Sequence, residues 1–296
     1  MMRHTAFAAA LLLAAPLALA QSVRFGLDAE YLYDSNASRG LYDADRKADS
    51  ILSLEGSLNG STPLGSRGGL VYRAAARYDY FTTFQDLSNV ALTGRLAYRV
   101  QPGTEFSSPF FELAGNAVWL QHSDSELRDG TILSLEASLG SHLTDRMRLA
   151  GGVGVDQRDG GDPGRPGEVA IYDMEYARVW ATLDYRFGVR NTAYGRIMHI
   201  MGDHVFNSVT VSGINPDPGN WATDPALAKE LGGTVNSYRV DASTFVYDLG
   251  VNIPLAGNRA LDFFVSSYSS KLNEGPYSGS KYSGYLLRAS YLYRFQ

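Results

Sequence analysis

The feature that most constrains this chain is the strict alternation of residues 282–296. Tyr285, Leu287, Ala289, Tyr291, Tyr293 and Phe295 share one parity, while Leu286, Arg288, Ser290, Leu292 and Arg294 share the other. Side chains alternate faces along a strand, so one face is apolar or aromatic throughout and the opposite face carries the arginines. Residues 23–34 repeat the pattern, with Val23, Phe25, Leu27, Ala29, Tyr31 and Tyr33 set against Arg24, Asp28, Glu30 and Asp34. A soluble sandwich also alternates, but it does not need one face free of charge on nearly every strand. A lipid-facing wall does, because a charge facing the middle of a bilayer costs about 2 to 4 kcal/mol.

The remaining composition narrows the fold to a closed barrel. Beyond residue 20 no apolar run reaches the length of a spanning helix. Closed barrels are then the one other way to satisfy every backbone polar group in lipid. The 19 tyrosines, 13 phenylalanines and 31 glycines suit aromatic girdles and tight turns. Residues 1–20 read as a cleaved secretory signal: Arg3 and His4, an apolar run, then Ala18-Leu19-Ala20. Residues 21–296 would form one barrel domain. Zero cysteines mean no disulfide framework, and a net charge of −5 gives no reason to expect nucleic acid as a partner.

Taken in order, the alternation predicts twelve strands, near residues 23–34, 52–59, 70–80, 92–99, 110–121, 132–142, 148–158, 176–187, 193–201, 245–255, 261–268 and 285–296. The expected fold is all-β, a twelve-stranded antiparallel transmembrane barrel with up-and-down topology. Connections after even-numbered strands are tight, and those after odd-numbered strands are generally longer and richer in Gly, Asp, Asn and Ser. Short periplasmic turns, long external loops and both termini in the periplasm follow. Tyr98, Tyr185, Phe187, Tyr291, Tyr293 and Phe295 would form the inner girdle, and Tyr31, Tyr33, Tyr78 and Tyr80 the outer one. In the longest connection, 202–239, Val205, Val209 and Val211 extend one strand, and Tyr238 and Val240 the next. Near its tip, Asp224 reads as an N-cap, Pro225 as the first helical residue and Gly232 as the stop. Such a hairpin is either a lid over the pore or an ordered surface loop.

On the inward parity, arginines and carboxylates nearly balance, so ion pairs should lace the lumen. Asp28 with Arg288 across the closure seam is one expected pair. Arg73, Arg77, Arg95 and Arg99 lie on neighbouring strands and would form a basic patch, since planar guanidinium groups suit carboxylates and phosphates. Glu55 and Glu112 on flanking strands offer the alternative, structural pairing. A lipid hydrolase is also weighed, from His122-Ser123-Asp124-Ser125 with His199 and His204 near the outer rim, although adjacent His122 and Ser123 would point to opposite faces. The acids Asp43, Asp45, Asp49, Asp159 and Asp162 lack a calcium-loop spacing and are read as solvated, or bridged by divalent ions to lipopolysaccharide. No cofactor or resident metal is expected.

The last strand resembles the assembly signal of outer-membrane barrels, polar-x-Gly-x-x-aromatic-x-aromatic. Arg288, Ser290, Tyr293 and Phe295 occupy those places, with serine for the usual glycine and Gln296 after the final aromatic. This likeness implies recognition by the barrel-insertion machinery and contact with outer-membrane lipid and lipopolysaccharide. The stretch Tyr31-Leu-Tyr-Asp34-Ser35-Asn36-Ala-Ser-Arg39 is similar to the Tyr-Asp-x-Asn opening of surface-lipoprotein assembly modifiers and exopolysaccharide-associated barrels. The helical repeats that usually precede modifier barrels are missing, which counts against a secretion role. The leading expectation is a porin-like channel for small hydrophilic solutes, acidic ones included. The alternative is a non-conducting structural or assembly barrel serving an envelope export or polysaccharide system. The hydrolase comes third.

Overall fold

The structure, a computed structural model, describes residues 22–162, 168–209, 220–274 and 277–295. The signal segment expected at 1–20 and the terminal Gln296 lie outside the described residues. The strands are β1 (Ser22–Asp34), β2 (Asp49–Leu64), β3 (Gly68–Phe81), β4 (Asn89–Val100), β5 (Phe110–His122), β6 (Gly130–His142) and β7 (Met147–Gly160). They continue with β8 (Met174–Phe187), β9 (Asn191–Val209), β10 (Trp221–Thr223), β11 (Val235–Pro254), β12 (Arg259–Leu272) and β13 (Lys281–Arg294). A short helix, α1 (Pro225–Leu231), lies between β10 and β11.

Each wall strand pairs antiparallel with its neighbour in sequence, except that β9 passes to β11. The ring closes where β1 meets β13, with Asp28 opposite Leu292 and Glu30 opposite Ser290. Twelve strands therefore make the wall, and no wall strand keeps a free edge. The wall thus has the twelve strands expected, and the short β10 stands outside it as a thirteenth strand of the described sheet.

The outward parity is largely apolar and exposed. Leu54, Val153 and Leu249 are 54%, 57% and 65% exposed, and large apolar residues repeat this around the barrel. A surface of that kind matches hydrocarbon and spans a membrane. Tyr31, Tyr78 and Tyr80 are exposed near the end with the long loops, and Tyr98, Tyr185, Tyr291 and Phe295 near the end with the short turns. Both ends of the described barrel chain lie at the short-turn end.

At the opposite end β9 and β11 outrun their neighbours. Pairing of β8 with β9 stops at Tyr176 opposite Gly202, and pairing of β11 with β12 stops at Ala242 opposite Leu272. The β9–β11 ladder continues to Val209 opposite Val235. At that departure point Gly202 has a φ of 126°, and a Cβ there would stand 2.5 Å from the Glu175 carbonyl oxygen, so only glycine suits it. The exposed edge of β11 above β12 is covered by β10, Trp221 facing Tyr238 and Thr223 facing Asn236.

The expected helix is present with the expected caps. Asp224 accepts from the Ala226 N–H at 3.2 Å, Pro225 begins the helix, and the Gly232 N–H donates to the Ala228 carbonyl at 3.0 Å. Val211, read as extending the hairpin, lies outside the described residues.

Candidate lumen site and its cap

Inside the barrel, the four arginines of the predicted patch each face a carboxylate. Arg73 binds Glu55 and lies 3.4 Å from the Asn59 side-chain oxygen. Arg77 donates to Glu30 at 2.8 Å, Asp79 at 2.7 Å and Ser53 at 2.9 Å. Arg95 reaches Glu112 at 2.6 Å, and the same carboxylate takes Arg99 at 2.6 Å. Arg77 on β3 crosses β2 to reach Glu30 on β1, so the ladder climbs obliquely, as the tilt of barrel strands requires. The four guanidiniums are 28 to 46% exposed to the lumen and their acids 8 to 19%, so water screens mainly the arginine side of each pair.

The closure seam pairs differently from expectation. Asp28 binds Arg294, whereas Arg288 donates to Asp262 at 3.0 Å and lies 3.6 Å from Glu30. The register explains the exchange. Arg294 stands opposite Gly26, next to Asp28 on the inward parity, while Arg288 stands opposite Leu32. Gly26 leaves the guanidinium its space, since a Cβ there would lie 2.8 Å from an Arg294 nitrogen. Of the closing-strand motif, Ser290 faces inward and donates to Glu30 at 3.2 Å. Tyr293 and Phe295 meet edge to face at 4.7 Å.

Residues of opposite walls share one small space. Arg73 and Arg77 on β3, Tyr194 on β9 and Asp262 on β12 line a cavity of about 290 Å³. Tyr194 donates to Asp262 at 2.8 Å, reaching past β11. The lumen at this level is polar and narrow.

The loop end is a folded cap, of which the hairpin and its helix were expected and the apolar cores joining it to the other loops were not. Three apolar clusters hold it. Leu41, Phe206, Tyr238, Leu272, Tyr277 and Tyr282 form one; Ala37, Phe84, Leu87, Ala226, Leu227 and Val235 a second; Leu127, Ile171, Tyr172, Val205 and Ala222 the third. Each polar loop supplies one or two large apolar residues, and that was the available signal. Between the clusters runs a buried polar network. Asn207 takes the Ser237 hydroxyl at 2.5 Å and donates to the Ser38 carbonyl at 2.6 Å. Asp224, fully buried, accepts from the Arg128 guanidinium at 2.9 Å. Burial alone would weaken the charge on Arg128, but Asp224 and Tyr172 outweigh it and raise its pKa. Burial pushes the Tyr172 hydroxyl up to about 12.

The Asp34-Ser35-Asn36 motif builds the first loop of this cap. The Asn36 N–H donates to Asp34 at 2.9 Å, and the Asn36 side-chain oxygen accepts from the Gly40 N–H at 2.9 Å. Two acids read as solvated are in fact buried acceptors. Asp45 takes the Ser208 hydroxyl at 3.0 Å, and Asp49 takes the Thr82 hydroxyl at 2.7 Å and the Phe84 N–H at 2.9 Å. Asp43 is exposed and pairs with Arg46 at 2.9 Å. Among the described residues no cluster of three or more His, Cys, Asp or Glu side chains has the placement of a metal site.

The histidines weighed for hydrolysis are separated. His122 contacts Asp129 at 3.3 Å on the inward parity, whereas His199 stacks on Phe245 at 4.3 Å on the lipid side and meets the Ser243 hydroxyl at 2.7 Å. His204 packs against Tyr282 in the cap, with ring centroids 5.0 Å apart. No bonded serine, histidine and acid come together among these groups.

No protein-family model matches the chain, and no curated protein matches it in sequence. Among solved structures it is similar to an outer membrane channel from Pseudomonas putida F1, with a TM-score of 0.58 and 11% identity over 95% of this chain and 99% of that one. A deltaS2 mutant of the TodX monoaromatic hydrocarbon channel gives 0.46 and 10% identity, covering 97% and 94% of the two chains. The KdgM porin in complex with disordered oligogalacturonate gives 0.42 and 8% identity, covering 92% and 99%. At such identities the first likeness shows a shared fold.

Proposed function

We propose that this protein is an outer-membrane, porin-like channel for small hydrophilic solutes, acidic ones included. The observation that carries the reading is the contrast of faces on one closed wall: hydrocarbon-like outside, and inside a polar lumen with a cavity of about 290 Å³ between opposite strands. The long loops face the exterior of the cell and the short turns the periplasm. Outer-membrane lipid surrounds the apolar band, and lipopolysaccharide meets the loop end. Liposome swelling tests the channel directly: vesicles holding the full chain should swell in small sugars faster than empty vesicles. Equal swelling rates would sink the proposal.

The cap favours a second reading, a non-conducting barrel working with an envelope export or polysaccharide system. Phe206, Leu227 and Ala222 are fully buried where solutes would enter. Cross-linking in intact cells separates the two: a stable partner on the cap supports the second reading, and cap residues that capture no partner weaken it. For either reading, Arg288, Ser290, Tyr293 and Phe295 are proposed as the signal for the insertion machinery. Phe295→Ala should lower the yield of barrel in outer membranes, and an unchanged yield would refute that role.

A further inference from the structure

Below the cap lies a second, larger chamber that the patch of Arg73, Arg77, Arg95 and Arg99 does not touch. It measures about 530 Å³ and is bounded by Arg39, Arg128, Arg158, Arg196 and His204, with Asp203 and Asp248 as its acids. That volume suits a single small molecule. Three of the four arginines are engaged. Arg39 lies 3.6 Å from Asp34, Arg128 lies 2.7 Å from Asp224, and Arg196 lies 2.5 Å from Asp248.

Arg158 differs from the other three. It lies over the Tyr172 ring at 4.6 Å and donates one N–H to the Arg128 carbonyl at 2.5 Å. It forms no ion pair among the described residues, and its Nε is buried without a hydrogen-bond partner. His204 Nε2, on the same cavity, is also buried and unpartnered. Buried polar groups left unsatisfied are costly, and a ligand acceptor would remove the penalty.

Resting on the channel reading above, we infer that this chamber is a binding station for a sugar-sized monocarboxylate, held by Arg158 with His204 as a second donor. Among the described residues Arg158 is the one lining arginine with no acid partner, and its planar fork fits the two oxygens of a carboxylate. A phosphate dianion would add a second negative charge with no second free guanidinium to meet it, beside Asp203, which accepts from the Glu175 N–H and pairs with no arginine among the described residues. Ile200 and Val246 on the same lining offer the carbon skeleton an apolar surface.

Calorimetric titration of the full chain in detergent tests this without needing conduction. Gluconate should bind and glucose, the neutral solute of similar size, should not. Arg158→Gln should weaken gluconate by about 10-fold or more, the loss of a charge-assisted hydrogen bond. Arg158→Lys, which keeps the charge and controls for folding, should fall between the two. Arg67→Gln, the same charge change on the opposite end of the barrel, should bind as the wild type does. Equal affinities for wild type and Arg158→Gln, equal binding of glucose, or no gluconate binding would each overturn the inference. A barrel that binds gluconate but leaves swelling rates unchanged would refute the channel and keep the station. A conducting barrel indifferent to gluconate would do the reverse.

Discussion

The arginines of the lower wall and those beneath the cap read alike in sequence, yet they sit in different physical worlds. On the wall, Arg77 and Arg95 are 29% and 28% exposed, with acids on neighbouring strands within reach. Water remains as an alternative partner there, so each pair contributes little and can be lost cheaply. In the cap, Asp224 is fully buried and meets Arg128, Ser237 and its own helix N-terminus. Removing one member there strands another without water. The difference teaches that the wall's charge ladder shapes the lumen, while the cap's few buried polar groups decide whether the mouth is covered.

That contrast can be broken by substitution. Asp224→Ala should have the largest effect, destabilising the cap by about 3 to 5 kcal/mol as Arg128 loses its buried partner. Hydrogen exchange of the β10 and β11 amides would report it as lost protection while the β1 to β8 wall stays protected. Leu227→Ala comes next, at about 2 to 5 kcal/mol, since it empties a fully buried site in the second cluster. Proteolysis within residues 220–235, with the barrel intact, checks it.

The cap should also loosen in mild acid. His204 lies on the β9 extension, beyond the last pairing with β8, and burial, aided by the charge of Arg39, lowers its pKa from 6.5 to about 4. The opened state therefore binds a proton at a higher pH than the closed state. Closure is unaffected above pH 6.5 and is progressively lost as pH falls from 6.5 toward 4, by up to about 3 kcal/mol. Exchange of the cap amides measured across that window should show the loss in wild type and not in His204→Phe. Smallest of all, Arg95→Met on the wall should cost about 1 kcal/mol or less in a urea-unfolding series. A loss as large as that of Asp224→Ala would erase the distinction between the two regions.

The barrel was legible in the sequence because each strand carries its own evidence. Parity in residues 23–34 or 285–295 needs no knowledge of any partner. The helix was legible for the same reason, since Asp224, Pro225 and Gly232 are local signals. A lid was one of two readings of the hairpin, but the cores that build it were not legible, because Leu41, Phe84, Leu127 and Ile171 are single apolar residues in polar loops and fall into three separate clusters only once the chain is folded. The seam was half legible. Asp28 and Arg288 both engage in ion pairs, but their partners depend on a register that sequence does not state. Arg158 stood among many inward arginines, and its unpaired state emerges only once every nearby carboxylate has been placed.

The central claim is that a conducting lumen runs through this barrel. Planar-bilayer recording of the purified full chain addresses it most directly. Discrete steps of conductance are expected, growing in wild-type size or frequency when Asp224→Ala frees the cap. A barrel that inserts and stays silent, in wild type and in Asp224→Ala alike, would contradict the claim.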